Sequence, residues 1–322
     1  MKDRIITIFG ATGFIGKYVC NELVKAGYSI RVVSRSFERA KALRTGAFVG
    51  QIVPVAGNIN RPEDFAKLVE GSYGVVDLVG ILYESGRNKF NNLHNTNAAK
   101  LAEAAKKAGA VKFVHVSANV AEDSKAKYAQ SKIAGEKAIQ AAFPEAVILK
   151  PSVVFGAEDN FMNKFASMGA ISPILPLIGG GKTKFQPVYV GDVARAVLAA
   201  IDNEAVKAGT YQLGGPQAVT FREVLSTIDI YTARKHRYLS IPFCFAKLIG
   251  GVSSFVSRIV PLIPPAITAD QVELLKSDNT VSTRSKGLKE LGINPTGMDA
   301  VVPEYVARFA RNNKAYKARH SV

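Results

Sequence analysis

The sequence predicts an α/β fold, a doubly wound parallel sheet with a smaller, mainly helical C-terminal cap. Three observations carry this. Over the first 150 residues, short apolar runs alternate with segments whose apolar residues recur three or four apart, the pattern of successive βαβ units. A glycine-rich turn, Gly10-Ala11-Thr12-Gly13-Phe14-Ile15-Gly16, joins the first apolar run to the first helical one. After Pro151 the rhythm breaks into an irregular stretch marked by Pro173, Pro176 and Gly179-Gly180-Gly181,.

In chain order, the first strand is expected over residues 4–9, and the helical pattern beyond the glycine turn runs to Gly27. Apolar runs at 30–33, 51–55, 74–79, 112–116 and 146–149 supply the other strands,. Helical spacing at 18–26, 62–70, 93–108 and 126–142 supplies the crossovers between them,. Residues 189–201 read as a strand end and a helix returning to the main sheet. The dinucleotide-binding domain is therefore expected over 1–155, rejoined by 185–205, with the cap over 156–184 and 206–322. Within the cap, Phe245, Leu248, Ile249, Val252, Phe255, Val256 and Ile259 share one helical face, while Lys247, Ser254 and Arg258 point away. The apolar stretch between Lys247 and Arg258 is too short to span a bilayer. Its commoner reading is a helix buried against the protein's own core; the other is a face turned to a membrane surface or a partner.

Glycines at the spacing of the first turn have separate tasks. The first permits the tight strand-to-helix turn, the second lets a pyrophosphate approach bare backbone, and the third lets helix and strand pack closely. The helix end offers unpaired N–H groups and a positive dipole end to phosphates. Gly10, Thr12, Gly13, Phe14, Ile15 and Gly16 are accordingly expected to bind a dinucleotide. The second strand ends Val33-Ser34-Arg35-Ser36, without the carboxylate that receives ribose hydroxyls in NAD-binding folds,. Arg35 suits a 2′-phosphate, with Ser34 and Ser36 as hydroxyl donors, so NADP(H) is expected over NAD(H). The alternative is a plain surface arginine. After the third strand, Asn58 is placed to pair with the adenine edge and Ile59 to pack on its face. Gly80 ends the fourth strand, where backbone must come close to a cofactor.

Tyr128-Ala129-Gln130-Ser131-Lys132 puts a phenol and an ammonium four residues apart on one helical face,. A nearby ammonium lowers a phenol's pKa and fits Tyr128 for acid or base work on a carbonyl or alcohol. A surface pair without chemistry is the other reading.

The chain carries a net charge of +16, of which +8 falls in the last 92 residues and +8 in the first 230. An anionic membrane surface or an acidic protein partner would accept such a surface, as would plain solvent. No zinc-finger spacing and no RNA-binding signature is present, so no nucleic acid partner and no metal are expected. Cys20 and Cys244 are too few for a disulfide framework, and no secretory leader is visible before the first strand,.

With the glycine turn, Tyr128/Lys132 and Lys150-Pro151-Ser152-Val153-Val154-Phe155-Gly156 in this order, the chain resembles the short-chain dehydrogenase/reductase superfamily, in its extended and atypical branches. The resemblance covers nearly the whole length. It implies a Rossmann fold and places Ser117, Tyr128, Lys132, Pro151, Val153 and Val154 beside the cofactor. A narrower set of segments resembles the NAD(P)H-binding accessory subunits of respiratory complex I, the NADH dehydrogenase of electron transport, and their bacterial relatives. These are Val114-His115-Val116-Ser117-Ala118, residues 151–159, Phe185-Gln186-Pro187-Val188-Tyr189-Val190-Gly191-Asp192 and Asp270-Gln271-Val272-Glu273-Leu274-Leu275. That resemblance implies complex I subunits as partners. It also implies a peripheral position on the cytoplasmic side of a bacterial inner membrane, or the matrix side of the mitochondrial one.

The chain departs from the enzymatic pattern of that superfamily twice. Active relatives carry a serine pair after the fifth strand, where this chain reads Ser117-Ala118. Many also hold a water-ordering asparagine early in the fourth helix, where His94 stands here with Asn95 beside it. An orienting donor in such a site is worth about 2.7–4 kcal/mol. The expected role is thus a structural nucleotide with little or no turnover, Tyr128 and Lys132 being kept for the nicotinamide ribose. If active, the chain would be an NADP-dependent oxidoreductase. The alternative is a stand-alone NADPH-dependent reductase or epimerase acting on a quinone, an isoprenoid or a sugar nucleotide.

Overall fold

The apolar runs form parallel strands β1 (Ile5–Phe9), β2 (Ser29–Ser34), β3 (Ile52–Ala56), β4 (Gly74–Asp77), β5 (Lys112–Val116) and β6 (Val147–Pro151). Between them run helices α1 (Phe14–Lys25), α2 (Phe37–Lys41), α3 (Phe65–Val69), α4 (Asn97–Lys107) and α5 (Lys127–Ala142). The computed structural model describes residues 2, 4–259, 265 and 267–310. Its contacts divide the chain into two units, one of 1–151, 190–213 and 282–294, the other of 152–189, 214–281 and 295–322.

The first unit is built on a seven-stranded sheet in the order Gly209–Leu213, β6, β5, β4, β1, β2, β3. Every neighbouring pair in it is parallel. Helices cover both faces, so Ile6, Ile8, Val32, Val75, Val76 and Val114 are all buried, as expected of strands that read as continuous apolar runs. The order reverses between β1 and β4, and the crevice beyond their carboxyl ends is where such a sheet receives a ligand. Cys20 is buried in α1, and loss of solvent pushes its thiol up to about 12, so it is inert as a nucleophile.

Two stretches expected in the cap belong to this unit. Strand Gly209–Leu213 pairs with β6 as the edge of the sheet. Residues 282–294 join it through Gln212, whose N–H donates to the Lys286 carbonyl at 2.8 Å and whose Oε1 accepts from the Ser282 N–H at 2.7 Å. Residues 152–155 and 185–189, expected with the nucleotide domain, fall in the second unit, whereas helix Val190–Asp202 lies against α1.

The second unit holds helices Met162–Ile171, Phe221–Thr232, Phe243–Ile259, Ala269–Leu274 and Met298–Val306. Strands Ile174–Ile178 and Arg237–Ile241 pair in parallel. Its core gathers Phe155, Leu175, Phe185, Phe221, Leu225 and Val302. Capping boxes at Thr220/Glu223 and Thr268/Gln271 start two of the helices,. The Asp159 carboxylate accepts from the backbone of Gly156, Phe161 and Asn163 and from the Tyr305 hydroxyl at 2.7 Å.

Helix Phe243–Ile259 corrects its commoner reading. Phe245, Leu248, Ile249 and Val252 are 50–66% exposed. The helix packs through Ala246 and Gly250 instead; a Cβ at Gly250 would lie 2.6 Å from the Ala269 nitrogen. Glycine allows that close approach, and the large apolar side chains are turned away by it. The side chains of Phe255, Val256, Arg258 and Ile259 lie outside the described residues.

Candidate functional site

The glycine turn follows β1 at its carboxyl end, where the strand order reverses. Gly10 follows β1 at φ +85°, the left-handed region, and a Cβ there would lie 3.0 Å from the Leu78 carbonyl carbon at the end of β4. A Cβ at Gly16 would overlap the carbonyl oxygens of Gly10 and Ala11, so only glycine lets α1 start this near the turn. Gly13 is the N-cap of α1; it offers no side-chain cap, and the first turn holds no acid. Thr12, Phe14 and Ile15 are half-buried around the exposed Gly13. Backbone donors and dipole at this end therefore face outward without a competing side chain, which fits a pyrophosphate.

At the end of β2, Arg35 is exposed. The serines beside it serve the backbone. Ser34 Oγ donates to the Ser36 carbonyl at 3.0 Å, and Ser36 Oγ caps α2 by accepting from Arg39 N at 3.4 Å. Asn58 Oδ1 likewise accepts from Asn60 N at 3.0 Å, and Ile59 is buried in the core with Phe9, Val33 and Phe65. Of this group, Arg35 is the side chain turned to solvent.

Tyr128 and Lys132 stand on α5, Tyr128 half-buried and Lys132 buried. Burial pushes the Tyr128 phenol up, and the Glu136 carboxylate adds to it. Burial lowers Lys132 to about 8, against the opposing charges of Asp77 and Glu136. The phenol is raised, not lowered as a nearby ammonium would lower it, because loss of solvent sets its direction,.

The residues around this pair are committed. Ser117 Oγ donates to Glu136 Oε1 at 2.5 Å, and Lys150 Nζ donates to Glu136 Oε2 at 3.0 Å, all three buried. Ala118 supplies no second hydroxyl. His94 Nε2 accepts from the Ile81 N–H at 3.1 Å, so its Nδ1–H donates to Ser131 Oγ at 2.9 Å, which in turn donates to the Tyr128 carbonyl at 2.7 Å. Burial first, then the Lys132 ammonium, lowers His94 to about 2. His94 is thus a neutral clamp between the Gly80 loop and α5. It sits in a π-helical segment, Asn91–Thr96, and a Cβ at Gly135 would overlap its carbonyl oxygen, so glycine lets α5 close on that segment. Asn95 donates from Nδ2 to Asn91 Oδ1 at 3.0 Å.

Gly10–Gly16, Arg35, Gly80, Ser117, Tyr128, Lys132 and Pro151 all lie in the first unit; Val153 and Val154 fall in the second. Sequence reasoning gave no role to Asp77 and His115, a buried pair with His115 Nδ1 2.9 Å from Asp77 Oδ2. The signal was there: a carboxylate that ends the apolar β4 and an imidazole between Val114 and Val116 on β5.

The sequence pattern of the NAD dependent epimerase/dehydratase family matches residues 6–214. The chain is 33% identical over 315 residues to NADH dehydrogenase (ubiquinone) 1 alpha subcomplex subunit 9, mitochondrial, of Arabidopsis thaliana, covering 95% of this chain and 78% of that one. The protein of the same name from Rattus norvegicus is 32% identical over 309 residues, covering 94% and 80%. Among solved structures, triphenylmethane reductase of Citrobacter sp. complexed with NADP(H) matches with a TM-score of 0.72 at 21% identity, covering 95% of this chain and 99% of that one. The chain belongs to the NAD dependent epimerase/dehydratase family, in the branch that holds the alpha subcomplex subunit 9 proteins.

Proposed function

We propose that this chain is an accessory subunit of respiratory complex I that holds NADP(H) as a structural group and does not turn it over. The observation that carries the second half is the state of Tyr128. Its phenol is pushed up by burial and by Glu136, and Ala118 leaves no second donor for a substrate oxygen. A group that titrates far from neutral pH is a poor general acid or base. The partner assignment is supported by likeness along 95% of the chain to a complex I subunit.

Gly10, Thr12, Gly13, Phe14, Ile15 and Gly16 would hold the pyrophosphate, Arg35 the 2′-phosphate, and Lys132 the nicotinamide ribose. Bound there, the nucleotide would supply a hydride only to a substrate that Tyr128 polarised. Pro151 is assigned to the nicotinamide end by family resemblance, and Asn58 and Ile59 to the adenine end by their place after β3.

Attachment to a membrane-bound complex is the finer part of the reading. No helix among the described residues is long and apolar enough to cross a membrane. The exposed side chains of Phe245, Leu248, Ile249 and Val252, together with the net +8 of the last 92 residues, support a peripheral position,. The basic tail residues Arg311, Lys314, Lys317 and Arg319 lie outside the described residues. Gentle solubilisation of native membranes, followed by capture of the tagged chain, tests the reading. Complex I subunits should co-purify, and Leu248→Glu with Val252→Glu should weaken attachment while sparing nucleotide binding. A chain that fractionates alone, wholly soluble at low salt, would contradict it.

A further inference from the structure

Side chains alternate across a strand, so Asp77 shares the face of Val75 on β4, and His115 shares the face of Phe113 on β5,. Val75 and Phe113 belong to the core that α4 and α5 cover. Asp77 and His115 are direct partners across the two strands, and both are fully buried. The Asp77 carboxylate accepts from the Val79 N–H at 3.0 Å and from His115 Nδ1 at 2.9 Å. His115 Nε2 has no hydrogen-bond partner.

The same corner contains a donor short of acceptors. The Lys132 ammonium is buried and donates at 3.4 Å to the carbonyl of Val116, the residue that follows His115. An ammonium carries three donors. A Cβ at Gly80 would lie 3.5 Å from Lys132 Nζ and 3.9 Å from His94 Nε2, so glycine there leaves the room that this corner occupies. Buried polar atoms are rarely left without partners. One water shared by the two nitrogens would meet both needs.

We propose that Asp77 and His115 are positioning residues for Lys132: the carboxylate fixes the imidazole so that Nε2 accepts from a water held by the ammonium. The ammonium is then anchored on its inner side and presented to the ligand on its outer side. The last step rests on the cofactor reading given above; the dyad itself does not.

The charges that act on Lys132 are Asp77 on β4 and Glu136 on its own helix, where Tyr128 stands one turn before it; Glu136 is paired with Lys150 on β6, and Lys132 in turn acts on His94 ahead of α4. Asp77→Asn removes the carboxylate charge that supports the ammonium and keeps an oxygen for His115 Nδ1–H. Lys132 should then lose its proton at lower pH. The test is nitrogen NMR of the full, nucleotide-free chain with labelled lysine and histidine, beside calorimetry of NADPH binding against pH.

In the unaltered chain the Lys132 midpoint should lie at about 8, and NADPH affinity should fall as pH rises through it. In Asp77→Asn both should move down by about one pH unit, with His115 protonated on Nδ1 and bare on Nε2. An unmoved Lys132 midpoint, or His115 carrying its proton on Nε2, overturns the dyad. If Asp77→Asn does not fold, the apolar pair Asp77→Val with His115→Phe must give the same downward shift. A chain that binds no nucleotide yet shows the shifted midpoint removes the cofactor reading and leaves the dyad standing.

Discussion

The two ends of the first unit's crevice are built on opposite principles. Around Gly10–Gly16 the polar groups that face outward are backbone, with no side-chain cap and no acid at the start of α1. Around Tyr128 the polar side chains face inward and are held: Ser117 by Glu136, His94 by Ile81 and Ser131, His115 by Asp77. On the function proposed above, one end receives a charged ligand and the other keeps its own protons where they are. Binding needs donors that are ready before the ligand arrives, whereas turnover needs a group that titrates near the working pH. The Tyr128 phenol, pushed up by burial, does not meet the second requirement.

Changes at the receiving end should have the largest effects. Gly16→Val would drive a side chain into the carbonyls of Gly10 and Ala11. Overpacking against backbone should cost about 3 kcal/mol of stability and abolish nucleotide binding, read by denaturant unfolding and calorimetry. Arg35→Asp leaves the fold intact, because the side chain is exposed. It should remove a charge-assisted pair worth about 1.5–3 kcal/mol and erase or reverse a preference for NADPH over NADH. Equal affinity for both nucleotides in the unaltered chain would falsify the assignment of Arg35.

The held end should respond through stability rather than binding. His94 is neutral when folded, its pKa lowered from 6.5 to about 2. The unfolded chain therefore takes up a proton first. The contribution is intact above about 6.5 and is lost as pH falls toward the folded value, by about 1.4 kcal/mol per unit. His94→Gln should be less stable at pH 7 and should show a flatter acid limb between pH 6 and 4 in denaturant titrations. An unchanged slope would mean that His94 charges without unfolding. The smallest effect belongs to Tyr128→Phe, which should leave NADPH affinity within about twofold, a few tenths of a kcal/mol.

Much of this was legible in the sequence, and the reasons differ by region. The glycine turn could be read because each glycine answers a local steric demand, and the run 112–116 coincides with β5 because both faces of a central strand are apolar. Strand Gly209–Leu213 escaped notice; it contains Thr210 and Gln212 and owes its place to pairing with β6, about 60 residues away in the chain. Amphipathic spacing identified the apolar stripe of helix Phe243–Ile259 but not the side that packs, because Gly250 decides the contact. The commitments of Ser34, Ser117 and His94 are also contacts between elements, and residue type alone made each of them look available.

The central claim is that the nucleotide is held and not consumed, and the most direct measurement is its fate on the purified chain. NADP(H) released from protein isolated under native conditions should approach one molecule per chain. On addition of a quinone or a small carbonyl, bound NADPH should be oxidised no faster than free NADPH, in the unaltered chain and in Tyr128→Phe alike. Rapid oxidation that disappears in Tyr128→Phe would show a working acid at Tyr128 and contradict the account.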